Sequence, residues 1–307
     1  MVGHETRGAK AEVLEWEYYR YDPSLVAAII FIALFFITTG IHTFQLIRSR
    51  TWYFIPLVIG GFFQAIGYIG RVLSSNETPN WTLGPYIMQT LLILVAPALF
   101  AASVYMVLGR IILLVDGEEL SMIRKRWLTK IFVTGDILSF VMQGAGGGIM
   151  SGGNLDSMKT GENIVVGGLF IQIAFFSCFI TVATIFHSRL RKRPTERSLS
   201  RDVPWQKHLI VLYIASSLIL IRSIFRVVEY IQGNNGYLLR KEIFLYIFDA
   251  VLMWGTMVIF NIVHPSQITE VLRNKMPDFS SGHSLEDVNS RHGFIPAGTF
   301  GLEERQS

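Results

Sequence analysis

Hydrophobic residues gather into seven long runs separated by short polar stretches: Leu25–Ile47, Trp52–Val72, Pro85–Leu108, Leu128–Met150, Asn163–Phe186, Leu209–Ile231 and Ile243–Val263. At helical rise each run is long enough to cross about 30 Å of hydrocarbon. Backbone hydrogen bonds must close inside a membrane segment, so each run predicts a helix, and none shows the period-two alternation of a strand. The expected fold is an all-α membrane protein, a bundle of seven transmembrane helices over residues 23–264. An N-terminal segment, residues 1–22, precedes it. A polar, Gly/Ser-rich tail, residues 265–307, follows and is expected to be mostly disordered after a short initial helix.

Polar residues inside these runs carry the functional expectation. In the sixth run Arg222, Arg226 and Glu229 fall at i, i+4 and i+7, one face of a helix. A charge at bilayer depth costs from about 2.5 kcal/mol upward, so such residues face a bundle interior and pair with something. In the seventh run Glu242, Tyr246 and Asp249 repeat the spacing, and in the second Gln64, Tyr68 and Arg71 do so again. With adjacent runs antiparallel, Arg222 lies about 14 Å and Asp249 about 10 Å below the same boundary at helical rise. Asp249 is therefore expected on Arg222 and Glu242 near Arg226. Gln89 and Gln143 fall in the same half, completing a candidate substrate pocket or charge network. A second, inner pair is expected between Arg110 at the inner end of the third run and Asp136 about two turns into the fourth, the alternative being Arg110 snorkelling to the cytosolic interface.

Orientation follows from the loops. Three connections, after the first, third and fifth runs, hold 13 basic residues, from Arg48 and Arg50 through Arg124–Lys130 to Arg189–Lys207. The opposite loops hold only Arg71, Lys159, Arg240 and Lys241. The positive-inside rule then puts the N-terminus outside and the C-terminus in the cytosol. The two N-x-[ST] sequons, at Asn76 and Asn80, lie in a loop this scheme places outside, as possible N-glycosylation sites. The N-terminal segment carries four glutamates and is no signal peptide, so the first run is expected to be its own insertion signal.

Composition agrees with a polytopic membrane protein: 51% hydrophobic and 16% charged residues, with a mean hydropathy of +0.42. The net charge of +4 reflects the basic loops and predicts attraction to anionic inner-leaflet lipid, not a nucleic-acid face. Cys178, the single cysteine, cannot form an internal disulfide and is expected to serve in packing. His42, His187, His208 and His264 map near the cytosolic ends of helices, but no two have i, i+4 ligand spacing, so no metal site, cofactor or enzymatic chemistry is expected. The run Gly144–Gly148 follows a membrane helix and lacks the G-K-[ST] ending of a phosphate loop.

Several motifs together resemble a known family. Gly67-Tyr68-Ile69-Gly70-Arg71, Ala96-Pro97-Ala98-Leu99-Phe100-Ala101-Ala102-Ser103-Val104-Tyr105, Gly135-Asp136 with Gln143 and Gly146-Gly147, the Arg222–Glu229 stripe, and Asp249 with His264-Pro265 are similar, in order, to the fungal RTA-like, lipid-translocating exporter family. Gln64 departs from it, because the family often has a glutamate there. The resemblance implies seven helices and resistance to toxic amphiphiles, with release of sphingoid long-chain bases, aminosterol tolerance, porphyrin traffic and phospholipid asymmetry among family roles. The expectation is translocation or efflux of lipid-like amphiphiles at the plasma membrane. The alternative is a seven-helix lipid or stress sensor, or a regulator of other lipid transporters.

Overall fold

The computed structural model describes residues 19, 21–150, 155–200, 203–232, 236–238 and 240–275. The described residues are almost entirely helical. In chain order they form α1 (Leu25–Ser49), α2 (Ile55–Asn76), α3 (Leu83–Leu114), α4 (Lys125–Met150), α5 (Leu155–Lys192), α6 (Trp205–Ile231), α7 and α8 (Ser266–Lys275). Helix α7 is continuous through an α-helical turn, Glu242–Leu245, a π-helical stretch, Tyr246–Val251, and a final α-helical part, Leu252–Ile262.

Local chemistry sets several boundaries. Ser24 caps α1 by accepting from the Ala27 N–H at 3.4 Å, and Arg50, left-handed at φ 53°, ends it. Pro56 sits in the first turn of α2, where no intrahelical donor is needed. Helices α3 and α5 run 32 and 38 residues, well past the hydrophobic runs Pro85–Leu108 and Asn163–Phe186. In α5 the added turns are largely polar and still favour helix after the hydrophobic run ends, whereas in α3 they include Ile111, Ile112 and Leu114, held by burial in the bundle.

Six helical spans, those of α1, α2, α3, α5, α6 and α7, are long and apolar enough to cross a membrane. The chain is an integral membrane protein. Helix α4 is 26 residues long, but Lys130, Asp136, Gln143 and its glycines dilute its hydropathy.

Each of α1 to α7 packs on its neighbours in sequence, α7 closes back on α1, and α3 also meets α6 and α8. This central place explains why α3 is apolar all round: Phe100, Val104, Tyr105, Leu108 and Ile111 are fully buried. Helix α1, by contrast, exposes Val26, Ile30, Ile37 and Phe44, a lipid-facing surface in a bilayer. Cys178 is also exposed, on α5, so the packing role expected of it does not hold. It faces away from the buried Phe176 and Phe179 on either side.

Missing side chains bring helices close. A methyl group at Gly67 would lie 2.7 Å from the Ile93 side chain, and one at Gly146 would lie 2.6 Å from the Gly161 carbonyl. These contacts seat α2 on α3 and α4 on α5 at backbone range. Helix α8 follows His264-Pro265 and docks beneath the bundle. Ile268 is fully buried, and the Tyr53 hydroxyl lies 3.1 Å from the Pro265 carbonyl and 3.2 Å from Thr269 Oγ1. The rest of the tail, 276–307, and nearly all of the N-terminal segment lie outside the described residues, as do Gly152 and Gly153.

A candidate charged site at one end of the bundle

Helix α2 ends, α3 begins, α6 ends and α7 begins at the same end of the bundle, here the Tyr21 end. The α2 stripe Gln64, Tyr68 and Arg71 points inward there, each side chain fully buried. Arg71 is the most elaborately held. Its Nη2 donates to Glu242 Oε1 at 2.6 Å and to the Tyr21 hydroxyl at 2.8 Å, while Nε reaches Glu242 Oε1 at 3.2 Å and the Tyr246 hydroxyl at 3.1 Å. The rings of Tyr19, Tyr21 and Tyr246 surround the guanidinium at 5.9, 5.4 and 5.3 Å. A planar fork with several fixed donors suits such a cage better than a point charge would.

Deeper in the bundle, Arg222 Nε donates to Asp249 Oδ1 at 2.8 Å and Nη2 lies 3.4 Å from Oδ2, with both residues fully buried. Its Nη2 also donates to the Ile93 carbonyl at 3.2 Å. That carbonyl is available for a simple reason. Pro97, four residues on, has no N–H to donate back to it.

Arg226 donates to Glu229 Oε2 at 2.6 Å on its own helix, and its Nε lies 3.7 Å from Asp249 Oδ2. Three arginines thus face three carboxylates, and the formal charges cancel.

The expected approach of Glu242 to Arg226 is corrected. Glu242 is on Arg71, and Arg226 takes Glu229, one turn along α6, with Asp249 beyond. The π stretch supplies the physical reason. It spaces backbone bonds at i, i+5, so it shifts the face that Glu242 presents relative to Asp249 and the rest of α7. A partner one turn away on α6 also requires no alignment between helices.

The remaining expected residues divide. Tyr68 stacks on Phe31, Phe35 and Tyr246 at 5.7, 5.8 and 6.0 Å between centroids, and its hydroxyl has no hydrogen-bond partner among the described residues. Both amide atoms of the fully buried Gln64 are likewise unpartnered among the described residues. Gln89 Oε1 joins the site through the Tyr19 hydroxyl at 2.9 Å. Gln143 does not. Its amide donates to Ser139 at 2.7 Å and to Gln172 at 3.3 Å, across the α4–α5 contact.

The inner pair Arg110–Asp136 is not formed. Arg110 is exposed and lies over the Tyr53 ring at 4.8 Å, its long stem carrying the charge out of the bundle. Asp136 is buried and accepts at 2.9 Å from the hydroxyl of Tyr105, whose ring packs on Phe132 and Phe179.

Sequence reasoning missed the strap that closes the Tyr21 end. Tyr19 also bonds Ser74 at 3.0 Å, Tyr21 holds Arg71, and the Ser24 N–H donates to Glu242 at 2.8 Å. Burial raises the hydroxyls of Tyr19 and Tyr21 above the ordinary tyrosine range, so both stay neutral at physiological pH. The available signal was the aromatic run Tyr18-Tyr19-Arg20-Tyr21 in an otherwise polar segment.

Asn76 and Asn80 are exposed at this end. At the opposite end His42 Nε2 is 2.9 Å from the Met257 carbonyl, and the rings of His42 and His264 lie 6.2 Å apart. Among the described residues no group of three or more His, Cys, Asp or Glu is arranged to hold a metal.

Comparisons with known proteins place this geometry in a family. No solved structure matches the chain. "Protein RTM1" of Saccharomyces cerevisiae is 36% identical over 286 residues, covering 80% of this chain and 91% of its own length. "Protoporphyrin uptake protein 1" of the same yeast is 38% identical over 280 residues, covering 80% and 90%. The yeast "Sphingoid long-chain base transporter RSB1" is more distant, 26% identical over 277 residues, covering 79% and 72%. The model of the family described as "RTA1 like protein" matches residues 57–271, which include every arginine and carboxylate of the network. The chain belongs to the RTA1-like family of fungal membrane proteins.

Proposed function

We propose that the chain translocates lipid-like amphiphiles, among them sphingoid long-chain bases, phospholipids and aminosterol-like toxicants, and so protects its membrane. The observation that carries this reading is the charge-balanced set of three arginines and three carboxylates at the Tyr21 end. A headgroup entering such a site exchanges one set of ionic partners for another instead of being stripped bare in hydrocarbon. The arginine forks suit phosphate, and Glu229, Glu242 and Asp249 suit an ammonium group. The unpartnered amide of Gln64 and hydroxyl of Tyr68 offer further polar contacts on the way inward. The acyl chain stays in the bilayer between helices. Relatives named for porphyrin uptake and for sphingoid long-chain base transport support the reading.

In this reading α4 is the seventh crossing, the Tyr21 end faces outward, the C-terminus is cytosolic and the resident membrane is the plasma membrane. The test is flux of labelled sphingoid base and labelled phospholipid in proteoliposomes, comparing wild type with Arg222→Ala, Glu229→Ala and Asp249→Asn. Flux is expected to fall in all three. Intact flux with only lowered thermal stability makes the network a structural brace. Saturable binding without flux gives a lipid sensor or regulator instead.

A further inference from the structure

A second surface of the chain has the layout of a lipid site, far from the charged network. Trp127, Lys130, Ile131, Thr134 and Leu138 follow one another along a single face of α4 at i, i+3, i+4, i+7 and i+11, about 16 Å of helix. With Phe175 of α5 they line an open groove of about 290 Å³. The groove exists because residue 135 is glycine. A methyl group there would collide with the Phe175 ring, which instead lies against the α4 backbone and forms the floor.

The two ends of this groove differ. Trp127 and Lys130 stand at the mouth, with Lys130 Nζ 5.7 Å from the centre of the Trp127 ring. An aromatic and a cation one turn apart are what an amphipathic surface presents at the level of lipid headgroups. Among the described residues no carboxylate lies within ion-pair distance of Lys130, and the exposed Arg124 adds positive charge at the same end of α4. Past Thr134 the lining turns apolar, with Leu138 half exposed.

We infer that this groove binds one anionic glycerophospholipid, with its phosphate on Lys130 and one acyl chain laid along α4 over Phe175. Charge complementarity selects the occupant. An apolar helix leaves Lys130 without a counter-charge, and a zwitterionic lipid brings the same phosphate together with an ammonium that the Lys130 and Arg124 end repels, so a net anionic headgroup is held more tightly. The inference rests on α4 lying in the bilayer, as in the reading above, and not on translocation by the charged network.

The experiment uses the full chain in nanodiscs of phosphatidylcholine doped with phosphatidylserine. After transfer to mild detergent, retained lipid is counted by native mass spectrometry. One phosphatidylserine per chain is expected. Lys130→Gln should weaken its retention about fivefold at low ionic strength, Lys130→Arg should keep it, and Thr134→Trp, which fills the trough, should abolish it. Flux in proteoliposomes runs alongside. Unchanged flux in the Lys130→Gln and Thr134→Trp variants, with lipid lost, supports a site separate from the transport route. Equal retention of phosphatidylcholine, or indifference to Lys130→Gln, overturns the assignment. So does a lipid-free dimer that Thr134→Trp disrupts, because the groove is then a helix-docking face. Binding of glycerophosphoserine, which has no acyl chains, as tightly as of the whole lipid also overturns it.

Discussion

Replacing Asp249 by asparagine keeps the shape of the side chain and removes its charge, leaving Arg222 and Arg226 with one carboxylate, Glu229, between them. Breaking a buried ion pair from one side costs about 3–5 kcal/mol, because the remaining charge is uncompensated in a medium that solvates it poorly. Two features of this site place the cost near the lower figure. Arg222 keeps its bond to the Ile93 carbonyl, and asparagine still offers one oxygen to the Nε now bonded at 2.8 Å. A loss of about 3 kcal/mol lowers the thermal midpoint by roughly 5 °C in a chain of 307 residues. Tryptophan fluorescence of detergent-purified protein during heating measures the midpoint. The double variant Arg222→Met with Asp249→Leu removes both charges and should regain most of the loss, since apolar replacement of a whole buried pair is often neutral or stabilising. The argument is refuted if Asp249→Asn shifts stability by less than about 0.5 kcal/mol, the range of ordinary surface changes. It is also refuted if the double variant is no more stable than the single one.

Four other substitutions and one label test different parts of the fold. Arg71→Lys preserves charge but cannot reproduce the simultaneous contacts to Glu242, Tyr21 and Tyr246, so a loss of about 1.5–3 kcal/mol is expected in the same melting assay, with reduced flux. Gly146→Val and Gly161→Val each push a side chain into the facing helix backbone and should destabilise by about 1–3 kcal/mol. Gly147→Ala, which meets open space, should not destabilise and serves as the matched control. Cys178 on the lipid face of α5 should resist an impermeant sulfonated maleimide in intact vesicles and react only slowly with a membrane-permeant one, because a thiol in hydrocarbon stays protonated. Equal labelling by both would put that face in water.

The helices were legible because hydrocarbon leaves the backbone one economical solution, and a run of twenty apolar residues announces it. The ends were less so: hydropathy reports where the membrane stops, not where the helix does, which is why α5 continues from Phe186 to Lys192. Within the candidate site, counting rise along two antiparallel helices was enough to match Arg222 with Asp249. The same count failed for Glu242, because periodicity assumes a uniform helix and α7 contains a π stretch. Charge and similar depth on adjacent helices pair Arg110 with Asp136. A tyrosine on the preceding helix supplies its hydrogen bond instead, and nothing in residue spacing distinguishes those two partners. The strap at Tyr19–Ser24 escaped because a polar segment ahead of a membrane helix carries no periodic signal, and its role depends on contacts as far as 218 residues away in the chain.

Pro97 gives the arrangement an unexpected dependence. A residue on α3 with no charge and no polar side chain decides how well an arginine on α6 is held, because the bond it fails to make leaves the Ile93 oxygen free for Arg222. The helix defect works as a binding group. Restoring a regular α3 would give that oxygen an intrahelical donor to share it with, so the straightness of one helix and the anchoring of a charge on another are alternatives the sequence has settled with a single imino acid.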